Sequence, residues 1–260
     1  EERLFMSAYY TTIARFYDAE TSDKSDDLVM YSQLAEEYEG DILDIGCGTG
    51  RVLLHLAQED YDVYGIDNDR AMLDRLDQKL KIYPHLNDKI TYYEANVLTH
   101  KLDRKFSLVL LTYNALMHFQ EQDTQIQLLN QLRKWVADDG LLVIDLPNAG
   151  DVFGSQDTDS IIMERTFLEP ESGHMIMLQS VSYLDRMTQV LHVDWIYDEM
   201  DGDGAVKRII APHRLRYYFQ AEITLLLKVC GFEIDALYGD TDESPFDDGC
   251  ERMIVYAKPV

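Results

Sequence analysis

The stretch DILDIGCGTGRVLLHLAQ, residues 41–58, runs from a short apolar segment through three glycines into a segment with apolar residues at Val52, Leu53, Leu56 and Ala57. A short apolar run, a turn and then a 3.6-residue period describe a strand feeding a helix, half of a crossover unit. Four more apolar runs follow at 62–67, 89–95, 106–113 and 140–147. Between them, 71–82 (Met72, Leu73, Leu76, Leu80) and 123–137 (Ile126, Leu128, Leu129, Leu132, Trp135, Val136) repeat with helical spacing, the second closed by the turn Asp138, Asp139, Gly140. This alternation predicts an α/β chain with a mostly parallel, doubly wound sheet.

After Pro147 the texture changes. Residues 148–160 (NAGDVFGSQDTDS) read as an irregular loop, and 161–219 alternate in the manner of antiparallel strands, with MDGDGA at 200–205 as a hairpin turn. Helical spacing returns at 220–229, stopped by Gly231, and two last strands are expected near 233–238 and 252–258. The expectation is therefore one Rossmann-like, seven-stranded sheet built from 1–150 and 220–260, interrupted by an inserted antiparallel β region at 151–219. That insert is aromatic, with Tyr183, Trp195, Tyr197, Tyr217, Tyr218 and Phe219 on alternating runs, and suits either a cover over an acceptor pocket or a dimer interface.

Bulk properties narrow the partners. A formal net charge of −25 opposes binding to a phosphate backbone, so nucleic acid is set aside as a partner. Cys47, Cys230 and Cys250 are odd in number and widely spaced, which indicates neither a disulfide framework nor a zinc site, and no metal is expected. No apolar run approaches the roughly 20 residues of a membrane span, and the first residues, EERLFMSAYY, lack the order of a signal peptide, although a segment upstream of Glu1 could have been removed. The expectation is a cytoplasmic protein, monomeric or homodimeric, that does not act at a membrane.

The glycine spacing selects the ligand class. A dinucleotide fingerprint needs GxGxxG, but Gly46, Gly48 and Gly50 give GxGxG with Arg51 where the third glycine belongs. A phosphate loop needs Lys followed by Ser or Thr, which are absent here. The arrangement DxGCGTG, with Asp44 at its head, resembles motif I of the class I S-adenosylmethionine-dependent methyltransferases, and the acid after strand two and CGF at 230–232 recur in register with that family. The resemblance implies that Gly46, Cys47, Gly48 and Gly50 border the methionyl and ribose portions of the cofactor, with Asp44 facing its ammonium. By the same resemblance Asp67 accepts from the ribose hydroxyls, or caps the following helix, or both. Asn68 and Met72 would line the adenine, as would Asn96, in place of a more usual Asp, and Val97 beside it. Tyr113 would lie on the loop after strand four, and Ser107 replaces an Asp that often precedes that strand. The segment YYTTIARFYDAE resembles a lead-in whose tyrosines, here Tyr10 and Tyr17, close over the cofactor, with Arg15 as a partner for the methionyl carboxylate; it reads equally as a helix packed on the sheet edge.

The family's chemistry is in-line displacement at a sulfonium methyl, for which the protein positions an acceptor and removes its proton if it carries one. His118, after strand four, is the candidate base or acceptor-orienting group, or else a structural histidine; Tyr17 and His213 are further catalytic candidates. The expected reaction is S-adenosylmethionine-dependent methyl transfer to a small-molecule acceptor such as an amine, amino sugar or hydroxyl. The alternatives are an RNA or protein methyltransferase and a non-catalytic S-adenosylmethionine-binding module. TYNA at 112–115 lacks the prolines with which amino-methylating DNA enzymes hold a flipped base.

Overall fold

A computed structural model describes residues 2–154 and 160–260. Two helices open the chain, α1 (Glu2–Glu20) and α2 (Asp26–Glu37). Then strand and helix alternate: β1 (Ile42–Ile45), α3 (Arg51–Gln58), β2 (Val63–Asp67), α4 (Arg70–Ile82), β3 (Ile90–Glu94), β4 (Phe106–Leu111), α5 (Gln122–Trp135) and β5 (Val136–Pro147). Helix α2 was not anticipated, although its buried Asp27, Met30, Tyr31, Leu34 and Ala35 follow the i, i+3, i+4, i+7 spacing that marks a one-sided helix. The turn expected at 138–140 is instead an irregularity inside β5, where the pairing steps from Phe106 with Val136 to Leu108 with Leu141. A Cβ on Gly140 would come within 2.8 Å of the Ser107 carbonyl, which is why the bulge carries a glycine.

Seven strands form one sheet in the order β10-β11-β5-β4-β1-β2-β3, with β10 at Phe232–Tyr238 and β11 at Arg252–Pro259. The pairs β1–β2, β2–β3, β1–β4 and β4–β5 are parallel, whereas β11 is antiparallel to both neighbours. Apolar layers cover both faces. Leu128, Leu129, Leu132 and Trp135 of α5 pack with Ile223 and Leu227 of α7 (Gln220–Val229) on one face, while Met30, Leu34, Leu53, Leu56, Leu73 and Leu76 from α2, α3 and α4 fill the other. Chain order reverses direction between β1 and β4, so a crevice opens beyond the carboxyl ends of those strands.

Within the stretch expected to be loop at 148–160, Ala149–Gly154 forms a short helix, α6, and 155–159 lie outside the described residues. A second sheet follows, β6 (Ile162–Leu168), β7 (Met175–Asp185), β8 (Val190–Met200) and β9 (Val206–Arg216), antiparallel in chain order. The expected hairpin turn joins β8 to β9, its loop held by the Asp201 carboxylate accepting from the amides of Asp203 and Ala205. The aromatic residues of this region do not share one face. Tyr197 is buried against α1, Tyr183 stands exposed on the opposite face stacked on His192, and Tyr217 and Tyr218, past the end of β9, belong to the core of the main sheet. Helix α1 lies on the buried face through Tyr9, Ile13 and Phe16, which meet Ile176, Leu178, Tyr197 and Ala211; the Phe16 and Tyr197 rings stack at 5.1 Å. No described helix is long and apolar enough to cross a membrane.

Candidate active site

A cavity of about 600 Å³ occupies the crevice at the strand ends. Its wall takes Asp44 and Ile45 from β1, Ile66 and Asp67 from β2, Ala95 to Leu98 after β3, Thr112 and Tyr113 after β4, and Tyr10 and Tyr17 from α1. Gly46, Gly48 and Gly50 all have positive φ, at 76°, 55° and 79°. The backbone path of the turn therefore asks for glycine at each, and Gly50 is further constrained because a Cβ there would collide with Leu76. Crowding by a ligand is not needed to explain Gly50. Cys47 also borders the cavity, but its sulfur packs so closely under β2 that a Cβ on Gly65 would lie 2.7 Å from it. Burial pushes the Cys47 thiol well above its ordinary pKa, so it is a packing group and not a nucleophile.

Asp44 is 1% exposed and accepts a hydrogen bond of 3.2 Å from the Thr112 hydroxyl. Burial raises its pKa to about 7, against the lowering influence of Thr112 and of Arg51. A carboxylate so placed is short of positive charge, and an ammonium in the cavity would supply it. Asp67 is half-buried, and its two oxygens accept from the amides of Gly48 and Asp69, each at 2.8 Å. It locks the glycine turn to the start of α4, and burial raises its pKa too. The cap of α4 is Asp69, which accepts from the Met72 amide at 3.0 Å and from the Thr11 hydroxyl at 2.7 Å. Met72, Val97 and Asn68 line the cavity. Asn96 lines it as well, its side-chain carbonyl accepting from the Leu98 amide at 2.9 Å, which turns its NH₂ group to other partners.

Arg15 is not part of this wall. Its guanidinium pairs with Glu199 of β8, with one contact at 3.2 Å, and lies over the Phe16 ring, so it ties α1 to the second sheet. Arg51 is the cation on the cavity, held from behind by a bidentate pair with Asp27 of α2 at 2.6 Å for each bond. The residue whose presence excluded a dinucleotide fingerprint is thus tied to the helix that went unread in the sequence. Thr49 and Asp18 were also unread. The Thr49 hydroxyl donates to Asp18 of α1 at 2.6 Å, and Lys79 of α4 donates to the same carboxylate at 2.7 Å, clamping α1 across the turn. The Ser107 hydroxyl, with its one hydrogen, lies 3.0 and 3.2 Å from the carbonyls of Tyr38 and Asp41 and is not part of the cavity wall.

Past β4 the chain passes through two successive left-handed residues, Tyr113 (φ 41°) and Asn114 (φ 70°). Arg252 of β11 holds them there by donating to the Asn114 side chain and to Asp145 of β5, both at 2.9 Å. The turn delivers His118, whose Nε2 lies 2.9 Å from the Tyr10 hydroxyl. Burial lowers the pKa of His118 to about 4. His213 of β9 does not line the cavity; it stands behind His118, with its Nε2 3.4 Å from His118 Nδ1 and its ring stacked on Tyr9. Phe119, Glu121 and Thr124 complete the wall beside His118, none of them marked by any motif.

Residues 42–140 match a family described as the methyltransferase domain. This stretch is an S-adenosylmethionine-dependent methyltransferase domain. The chain resembles a putative methyltransferase, YqeM, of Bacillus subtilis, with 25% identity over 209 residues that cover 80% of this chain and 79% of the relative. Its fold matches the CcbJ methyltransferase of Streptomyces caelestis at a TM-score of 0.79 and 22% identity, covering 97% and 98% of the two chains. It also matches CalS10 of Micromonospora echinaspora, an amino pentose methyltransferase bound to S-adenosylmethionine, at a TM-score of 0.68 and 17% identity over 91% and 93%. In this family the cofactor supplies a methyl group made electrophilic by a sulfonium. The buried, cation-poor Asp44 beside the glycine turn and the apolar pocket of Met72 and Val97 fit its ammonium and adenine ends.

Proposed function

We propose that the methyltransferase moves the methyl group to a small-molecule acceptor, an amine, amino sugar or hydroxyl. The observation that carries this reading is the make-up of one cavity: Asp44 and the glycine turn share its wall with Tyr10, His118, Phe119 and Glu121, and α1 contributes Tyr10 and Tyr17 to it. A volume of about 600 Å³ is of the size that holds small ligands. In this reading Asp44 pairs with the donor's ammonium, and Asp67 and Asn96 orient ribose and adenine. Met72, Val97 and Cys47 give the apolar wall, with Asn68 as a polar neighbour, and Tyr17 and Tyr113 shield the reacting centre. The glycines at 46, 48 and 50 shape the backbone around it. Arg51 replaces Arg15 as the partner for the methionyl carboxylate. His118 faces the acceptor, and Glu121 favours one with a basic nitrogen. The division into a donor-binding part, 1–150 and 220–260, and an insert, 151–219, goes with this reading. So does a cytosolic location and action as a monomer or homodimer.

The test is transfer of labelled methyl from S-adenosylmethionine to pooled amines, amino sugars and phenols, set beside RNA and protein. Small acceptors should be labelled, and His118→Ala should reduce turnover while leaving binding of S-adenosylhomocysteine intact. Labelling confined to RNA or protein would overturn the acceptor class, and binding of the cofactor without any transfer would favour a binding module.

A further inference from the structure

Three side chains from three elements cluster at the cavity, Tyr10, His118 and His213, with ring centroids 5.4 Å (Tyr10–His118), 5.1 Å (His118–His213) and 5.8 Å (Tyr10–His213) apart. Tyr10 of α1 lines the cavity, and its hydroxyl is 2.9 Å from Nε2 of His118. The other nitrogen of the same imidazole, Nδ1, is 3.4 Å from Nε2 of His213 on β9. His213 is 7% exposed and lies flat against the Tyr9 ring, with centroids 3.9 Å apart and planes 13° from parallel.

We infer that Tyr10, His118 and His213 form a proton relay directed away from the cavity, in which the Tyr10 oxygen receives a proton from the acceptor. This rests on the small-acceptor reading above. A neutral imidazole has one donor and one acceptor nitrogen, and a phenol has one hydrogen to give, so the chain of contacts can be polarised in only two senses. In the inward sense His118 donates to Tyr10, and Tyr10 turns its hydrogen toward the acceptor. That hydrogen would bind the lone pair that must attack the methyl carbon. In the outward sense Tyr10 donates to Nε2 of His118, and His118 donates from Nδ1 to Nε2 of His213. The Tyr10 oxygen then presents lone pairs to an N–H or O–H of the acceptor and leaves the attacking pair free.

The step balances as follows. The acceptor's lone pair forms the bond to the methyl carbon, and the pair of the breaking carbon–sulfur bond stays with sulfur. The acceptor's proton passes to the Tyr10 oxygen as the hydroxyl proton of Tyr10 moves to His118 and the Nδ1 proton of His118 moves to His213. The positive charge then rests on His213, where the face of Tyr9 stabilises it. Burial holds both imidazoles below their ordinary pKa, so both begin neutral at pH 7 with a lone pair free, and the same burial makes the cation formed on His213 short-lived. The titratable groups around them are Tyr9, Tyr17, Tyr113 and Asp67, which face Tyr10, and the Tyr9 ring on His213. Tyr10 and His118 are catalytic residues in this scheme, and His213 is a positioning residue.

The tautomers test the polarity without any acceptor. In protein carrying ¹⁵N-histidine and saturated with S-adenosylhomocysteine at pH 7, NMR should find His118 protonated on Nδ1 and bare on Nε2. Tyr10→Phe should shift the Nε2 signal, and His213→Phe should release the Nδ1 preference. His213→Gln should restore it, because its amide oxygen can accept from Nδ1. A proton on Nε2 of His118 in the wild type overturns the relay. With any acceptor found in the pooled assay, Tyr10→Phe should lower kcat about a hundredfold with KM little changed. His213→Phe should lower kcat and displace the acid limb of its pH profile, and His213→Gln, whose amide orients His118 but cannot take its proton, should leave both effects in place. Wild-type turnover in Tyr10→Phe and His213→Phe also overturns the relay. If S-adenosylhomocysteine fails to bind in calorimetry, the cofactor reading fails instead, and the tautomer of the free protein still decides the relay.

Discussion

Asp44 is buried with a hydroxyl as its hydrogen-bond donor, and its pKa of about 7 ties cofactor binding to protons. The folded value lies above the roughly 3.9 of an unfolded Asp, so its stabilising contribution is complete below that pH and is lost as pH rises through 7. Asp44→Asn removes this dependence. In thermal melts without cofactor, the variant should gain on the wild type at pH 8 relative to pH 5; equal differences at the two pH values would contradict the burial argument. An ammonium beside Asp44 favours the ionised form, so binding near pH 6.5 should release a proton. Calorimetry in buffers of different ionisation heat reads that release directly, and a buffer-independent enthalpy would count against the pairing. The same variant should weaken S-adenosylhomocysteine by about 10- to 100-fold, the worth of about 1.5–3 kcal/mol for a hydrogen bond between charged groups. The acid and its glycines were legible in the sequence because strand, turn and helix are contiguous there. That Arg51 and not Arg15 borders the cavity was not, since the ion pairs that decide it join residues 184 and 24 positions apart.

At the scale of elements, those with a period of their own were readable from β1 through α5 and again at α7, with ends within a few residues of expectation, and α2 was the exception. The turn after β4 has no such period. Its two left-handed residues each cost roughly 1–2 kcal/mol, and they persist because Arg252 reaches Asn114 from 138 residues away. Arg252→Met should therefore leave the 3%-exposed Asp145 without its partner and cost about 3–5 kcal/mol in denaturant unfolding. Adding Asp145→Leu should recover most of that stability, because the stranded charge is gone. Cofactor affinity should stay reduced in the double variant, since the side-chain brace on Tyr113 and Asn114 is then gone and only backbone bonds hold the turn. Affinity that returned together with stability would show that the turn needs no brace.

Across the whole molecule, chain order and hairpin turn announced the second sheet, but not how it reaches the cavity. None of the described residues of β6–β9 lines the cavity wall, and the aromatic count of the insert misled because Tyr217 and Tyr218 serve the main core. The connection runs through α1. One face of that helix packs on the second sheet through Ile13 and Phe16, and Tyr10 and Tyr17 face the cavity. Its Thr11 and Asp18 are bonded to Asp69 and Thr49 of the cofactor-binding framework. A helix shared in this way should respond to cofactor although it follows no part of the glycine motif in sequence. Hydrogen exchange with and without saturating S-adenosylhomocysteine should show slowed exchange along residues 9–20 as well as at the glycine turn, with the edge strand β6 unchanged. Phe16→Ala, which unstacks Tyr197, should speed exchange in α1 of the free protein while β1 and β4 stay protected, because their packing does not involve that ring. Saturating S-adenosylhomocysteine should then restore part of the lost protection through Tyr10 and Tyr17. If cofactor leaves α1 exchange untouched in the wild type, the helix is a support for the second sheet alone and the cavity does not depend on it.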